Sequence, residues 1–321
     1  MKERNLSLEL VKLLAVITVA NHWMEPLYVK WGALATGGAI GDVLFFFVSG
    51  YTLFLGRFGR FDNWYKRRVK RIYPSLLSNA IILSFLDIEQ LTLKQIVLGG
   101  GYWFLSCIML YYFLLYFVRK FAENKPLIPF LITIAVVVVW YCQWDSSSMF
   151  IFSTVFRWSF MFLFMLMGAY LGNKTIELRS RPILDVLVLL FSLILFYGIQ
   201  YFALRHEFIA HLQILILLPL MGIVISIYKL CCANGVERLM KSKFGLCLRF
   251  VAGLCLEVYL VSDVVINMMI GKMYEVFPLN LLVTFVLILF VAYFTRCLAR
   301  VLSQIFEKED MNWKSVFKAI H

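Results

Sequence analysis

Among the ionisable residues inside otherwise apolar runs of this chain, five lie deep enough to suggest chemistry: His22, Asp42, Arg157, Glu257 and Asp263. A charge at mid-bilayer costs about 3 kcal/mol on insertion scales, so each is a candidate for chemistry unless it reaches an interface. At about 1.5 Å per residue, His22 lies roughly 20 Å along its run. Asp42, Arg157 and Asp263 fall at a comparable depth near the same end of theirs, and Glu257 lies near the middle of its run. One base, three acids and a permanent cation at similar depth describe a polar cavity. A histidine whose tautomer is fixed by a carboxylate is a general base for a hydroxyl group, or a nucleophile that carries an acyl group itself. Taken singly, each residue also has a structural reading, His22 as a helix-packing histidine and Arg157 as the partner of an acid in an ion pair.

The second feature is the run Trp64-Tyr65-Lys66-Arg67-Arg68-Val69-Lys70-Arg71-Ile72-Tyr73-Pro74. It reads as a loop on the cytoplasmic side that stops translocation of the preceding span. Its density, five cations in six residues, fits equally a site for a phosphorylated cytosolic donor such as coenzyme A, because arginine forks grip phosphate oxygens in pairs.

These residues must be held by helices in a membrane. Of 321 residues 62% are hydrophobic and only 16% charged, more apolar surface than one water-soluble core can bury. In hydrocarbon every backbone N–H and C=O needs an internal partner, so the spans are helices or a closed barrel, and long unbroken apolar runs exclude the alternating barrel pattern. Apolar runs lie near residues 8–28, 34–56, 73–90, 96–118, 126–144, 149–171, 183–203, 208–229, 246–269 and 278–301. The expectation is an all-α integral membrane protein of about ten transmembrane helices. The apolar stretch after Met1-Lys2-Glu3-Arg4 reads as the first span, because no convincing cleavage site for a signal peptide follows it.

Of the 31 Lys and Arg, only Lys30, Lys94, Arg205 and Lys272 fall in the loops opposite the termini, with Lys12 and Arg157 inside spans. This asymmetry puts both termini in the cytoplasm. It also accounts for the net charge of +12 through orientation and anionic lipid, so that no nucleic acid is implied. Residues 1–302 read as a single transmembrane domain with outer loops of no more than about ten residues. Residues 303–321, with Ile305, Phe306, Trp313, Val316, Phe317 and Ile320 at near-helical spacing, read as a cytoplasmic amphipathic tail lying on the inner surface. The seven cysteines have neither metal-ligand spacing nor a disulfide framework and read as small core residues.

Several of these residues carry a resemblance along nearly the whole chain. They are Leu8-Glu9-Leu10-Val11-Lys12 leading to Asn21-His22; Gly41-Asp42-Val43-Leu44-Phe45-Phe46-Phe47-Val48-Ser49-Gly50-Tyr51; Arg67-Arg68-x-x-Arg71-Ile72-x-Pro74; Trp103-Phe104-Leu105-Ser106; Phe156-Arg157 with Gly168 eleven residues on; and Glu257-Val258-Tyr259-Leu260. In this order the chain resembles the bacterial acyltransferase-3 membrane proteins, which O-acylate surface and secreted glycans. The resemblance implies an acyl-CoA donor held from the cytosol near Arg67, Arg68 and Arg71, an essential histidine at His22, and a basic residue of the first span at Lys12. Lys12 stands ten residues before His22, where the family usually has eleven. Ser262 and Asp263 follow the Tyr259-Leu260 pair, where family members often carry His or Gln.

The reaction so implied is transfer of an acetyl group, the commonest in such families, from acetyl-CoA to a hydroxyl of a surface or exported polysaccharide, in the bacterial cytoplasmic (inner) membrane. His22 and Asp42 are then the catalytic residues, Lys12, Arg67, Arg68 and Arg71 the donor-binding ones, and Trp103, Arg157, Glu257, Tyr259 and Asp263 the cavity. The partners are acyl-CoA, a glycan acceptor and membrane lipid; the donor is a substrate, and no permanently bound cofactor or metal is implied. The rival readings are a flippase for a polysaccharide or lipid-linked glycan and a glycan polymerase. Against the flippase stands the lack of internal symmetry in the sequence, and neither rival requires acyl-CoA.

Overall fold

The computed structural model describes residues 5–28, 30–86, 91–125, 127–143, 154–173, 180–270, 276–305 and 311–318. The described residues are helical, with no strand among them. In chain order the helices are α1 (Leu6–Trp23), α2 (Gly38–Leu55), α3 (Phe61–Phe85), α4 (Leu93–Val97), α5 (Trp103–Ala122), α6 (Leu127–Gln143), α7 (Thr154–Asn173), α8 (Pro182–Ala203), α9 (Glu207–Ala210), α10 (Leu217–Cys231), α11 (Asn234–Lys241), α12 (Lys243–Gly253), α13 (Cys255–Met269), α14 (Leu279–Ile305) and α15 (Trp313–Val316). Among the described residues six segments are long and apolar enough to cross a membrane: α1, α2, α5, α8, α10 and α14, with a 3-10 turn preceding α2 and another preceding α10. The bent pair α12 and α13 makes a seventh if counted as one span. α8 shows why these helices belong in lipid. Ile183, Leu187, Phe191 and Ile194 are all more than half exposed along it, a stripe a water-soluble protein would cover.

Four features depart from the sequence reading. The basic run is not a loop: it forms the first half of α3, whose 25 residues continue through Pro74. The fourth apolar run begins as helix only at Trp103, because Gly99, Gly100 and Gly101 all adopt positive φ (101°, 67° and 83°), a left-handed path that ends helical propagation. Before them α4 is a short capped turn, with Thr92 and Gln95 bonding each other's backbone N–H. The ninth run is not straight; it bends by 68° at the break between Gly253 and Cys255. Finally, the described part of the tail, 311–318, holds only the four-residue α15 and docks on α14, with Val316 buried. Arg300 donates to the carbonyls of Val316 (2.8 Å) and Lys318 (2.6 Å), and Tyr293 to that of Phe317 (3.0 Å). Phe306 and Ile320 lie outside the described residues.

The chain divides into two compact units. The first holds Met1–Ala15, Ala39–Arg57 and Phe113–Gly245. In it α8 and α10 pack closely at Gly222, where a Cβ would stand 2.4 Å from Ser192 Oγ. The same pair is tied by Lys229 to buried Asp185 at 2.8 Å, a carboxylate that also accepts from the Arg181 N–H at 2.8 Å. The second unit holds Val16–Gly38, Phe58–Tyr112 and Leu246–His321. There α3, α13 and α14 pack on one another. Arg296 of α14 donates to the Gly253 carbonyl at 2.7 Å, which satisfies an acceptor left open where α12 ends.

Candidate active site

His22 occupies the last turn of α1 in the second unit. Its Nδ1 lies 3.3 Å from the Ala35 carbonyl. A carbonyl only accepts, so this bond places a proton on Nδ1 and, in the neutral ring, leaves the lone pair on Nε2. The ring lies flat against Gly38: a Cβ there would stand 2.4 Å from His22 Cδ2 and 2.8 Å from Cγ. The segment that supplies Ala35 is itself pinned. Asn21 donates to the carbonyls of Leu34 (2.8 Å) and Thr36 (2.9 Å) and accepts from the Tyr28 hydroxyl. Asn280 of α14 donates to the Leu27 carbonyl at 2.7 Å. Gly37 turns the chain with φ +103°, so that α2 starts directly beside the imidazole.

A buried polar layer lies in the same unit. Glu257 is in the first turn of α13, where the helix dipole favours a carboxylate, and it is there because the chain breaks at Leu254. Ser75 of α3 donates to it at 2.7 Å, and the Arg300 guanidinium acts on it electrostatically. One turn on, Asn79 donates to the Tyr102 hydroxyl (3.1 Å), which donates in turn to the Leu260 carbonyl (2.9 Å). Ser78 Oγ is fully buried with no hydrogen-bond partner among the described residues. Tyr259 sits among Trp23 (5.1 Å between ring centroids), Phe104 (5.1 Å) and Tyr102 (6.0 Å). Trp103 packs edge-on against Phe104 at 6.0 Å. Thus Glu257 and Tyr259 belong to one connected layer that starts beside α1, whereas Asp263, on the same helix, is exposed. Sequence reading by charge overlooked Ser75, Ser78, Asn79 and Tyr102. The spacing of the first three, one helix face, carries the signal.

The three arginines divide on α3. Arg67 and Arg71, one turn apart, are exposed, while Arg68 is half-buried with its guanidinium 4.9 Å from the Trp64 ring centroid, a cation–π contact. Trp64 is itself fully buried, so the turn that carries Arg68 is held rigidly.

Lys12, Asp42 and Arg157 belong to the first unit. Lys12 pairs with buried Glu9 one turn earlier on α1 at 2.9 Å. Asp42 on α2 feels the Arg157 charge from α7. Glycines set their distance. A Cβ on Gly50 would stand 1.8 Å from the Met165 carbonyl oxygen, one on Gly168 1.9 Å from that of Phe47, and one on Gly172 2.8 Å from that of Tyr51. The two backbones therefore touch along two turns, the close approach that small residues four apart permit in membrane helices.

Within one unit the arrangement supplies a half-buried imidazole with one nitrogen bonded, a buried polar layer that holds the Glu257 carboxylate, and a helix of cations, parts that suit proton removal during acyl transfer from a phosphorylated carrier. No curated protein and no solved structure matches the chain. Residues 5–297 match a family model described as an acyltransferase domain, and the chain therefore belongs to the acyltransferase-3 family as a multi-pass membrane acyltransferase.

Proposed function

We propose that the protein transfers an acetyl group from cytosolic acetyl-CoA to a hydroxyl of a surface or exported polysaccharide. The hydroxyl oxygen attacks the thioester carbonyl carbon as His22 Nε2 takes its proton. The carbon–sulfur bond then breaks, and the coenzyme A sulfur leaves with the proton returned by the imidazolium. The observation that carries this reading is the bond from His22 Nδ1 to the Ala35 carbonyl, which leaves Nε2 as the basic atom. Arg67, Arg68 and Arg71 would grip the phosphates of the donor. The layer around Glu257 would line the path of the acyl group.

In this reading the chain crosses a bacterial inner membrane ten times with both termini in the cytoplasm. The spans are the six long helices, the bent pair, and α6, α7 and the second half of α3. The cation distribution supports the orientation, and the cleft that Val69 and Lys70, early in α3, line together with Leu302 and Ser303, late in α14, fits these two ends lying on one side.

The test supplies labelled acetyl-CoA to the cytoplasmic side of vesicles that carry the protein and a competent acceptor glycan. Label enters the glycan with the native chain and not with His22→Ala at equal expression. Label in neither case, or equally in both, would discard the reading.

A further inference from the structure

α3 and α14 enclose a cleft of about 260 Å³ lined by Val69, Lys70, Tyr73, Pro74, Leu77, Leu302 and Ser303. At 100° per residue, Lys70, Tyr73, Pro74 and Leu77 share one face of α3, and Lys66 falls on the same face one turn before. Trp64, Arg68, Ser75 and Asn79 lie about 170° away, the side on which Ser75 bonds Glu257 and Asn79 bonds Tyr102. The basic run thus serves two sides of one helix.

We propose that this cleft binds an anionic phospholipid of the inner leaflet, with one acyl chain against Val69, Leu77 and Leu302 and the headgroup phosphate on Lys66 and Lys70. Charge complementarity selects the occupant: Lys66 and Lys70 are exposed and stand at the start of an almost wholly apolar trough. Pro74 has no N–H for the Lys70 carbonyl one turn back, so that carbonyl is an acceptor at the rim for a headgroup hydroxyl. The pantetheine arm of an acyl donor fits poorly. It would bring its amides to a lining with few polar groups, and its thioester would lie on the face of α3 opposite Ser75 and Glu257. The lipid instead explains why the run holds more cations than one phosphorylated ligand needs.

The experiment uses the full chain in phosphatidylcholine nanodiscs doped with photoactivatable phosphatidylglycerol, with adducts mapped by mass spectrometry. Adducts are expected on residues 66–77 and 296–305. Lys70→Gln should lower their yield about fivefold, the worth of one lysine near an anionic surface, and Leu302→Trp, which fills the cleft without changing charge, should abolish them. Thermal unfolding of both variants verifies that they are folded. Equal labelling by photoactivatable phosphatidylcholine would overturn the proposal. So would loss of adducts on adding coenzyme A, which would assign the cleft to the donor, or adducts that persist in folded Leu302→Trp. None of these readouts measures acyl transfer, so their outcome is independent of the proposed reaction.

Discussion

Two contacts hold His22 in one pose, the Ala35 carbonyl on Nδ1 and the Gly38 backbone against its ring. Replacing Gly38 by alanine should push the ring out of line while leaving donor contacts alone. We expect kcat to fall about a hundredfold, since displacement of a reacting group by about 1 Å can cost that much, with KM for the acyl donor unchanged. Steady-state kinetics on membranes with equal protein content checks this, and an unaltered kcat would show that the ring pose does not matter. Ser75 makes a different contribution. Its hydroxyl bonds buried Glu257, so Ser75→Ala leaves that carboxyl a partner short. The expected cost is about 2 kcal/mol, typical of a hydrogen bond to a charged group, measured as a lower midpoint of unfolding in detergent.

Between elements the decisive contact is α2 against α7. Gly50, Gly168 and Gly172 let the backbones touch, and the same two helices carry Asp42 and Arg157. A leucine at Gly168 would meet the Phe47 carbonyl and drive the helices apart, for a loss of roughly 1–3 kcal/mol or more, as for overpacking in a tight core. Because Asp42 and Arg157 are carried apart with the helices, activity should fall further than stability alone requires. Comparing Gly168→Leu with a variant of equal unfolding temperature but intact glycines separates the two effects. On α8, where Gly198 has open space around it, Gly198→Leu should be tolerated, and an equal loss there would refute the argument from close packing.

At the scale of the whole molecule, the prediction concerns orientation. Cys142 near the end of α6 and Cys247 early in α12 are both exposed, and the proposed topology of ten crossings with cytoplasmic termini would put them on opposite faces of the membrane. In variants that keep one cysteine each, an impermeant maleimide should modify Cys142 from outside in intact cells and Cys247 only after permeabilisation. The reverse pattern would overturn the orientation, and labelling of both from one side would require a different number of crossings. The helical membrane class was legible in the sequence, for a physical reason: hydrocarbon demands long apolar helices, a one-dimensional property. Among the described residues each of the ten apolar runs holds a helix; His22, Asp42 and Glu257 stood out because charge in an apolar run is rare, and Arg67, Arg68 and Arg71 because five cations fall in six residues. Other features depend on where the chain meets itself. The break before Glu257 follows from the packing of α13 with α3 and α14, and the Ser75 and Asn79 bonds join residues far apart in the chain. The meaning of Gly38, Gly50 and Gly168 is set by which backbone or ring lies opposite. A glycine in a sequence states only that a side chain is absent; the fold decided what fills the space, and with it how the imidazole is held and how closely the helices that carry Asp42 and Arg157 approach.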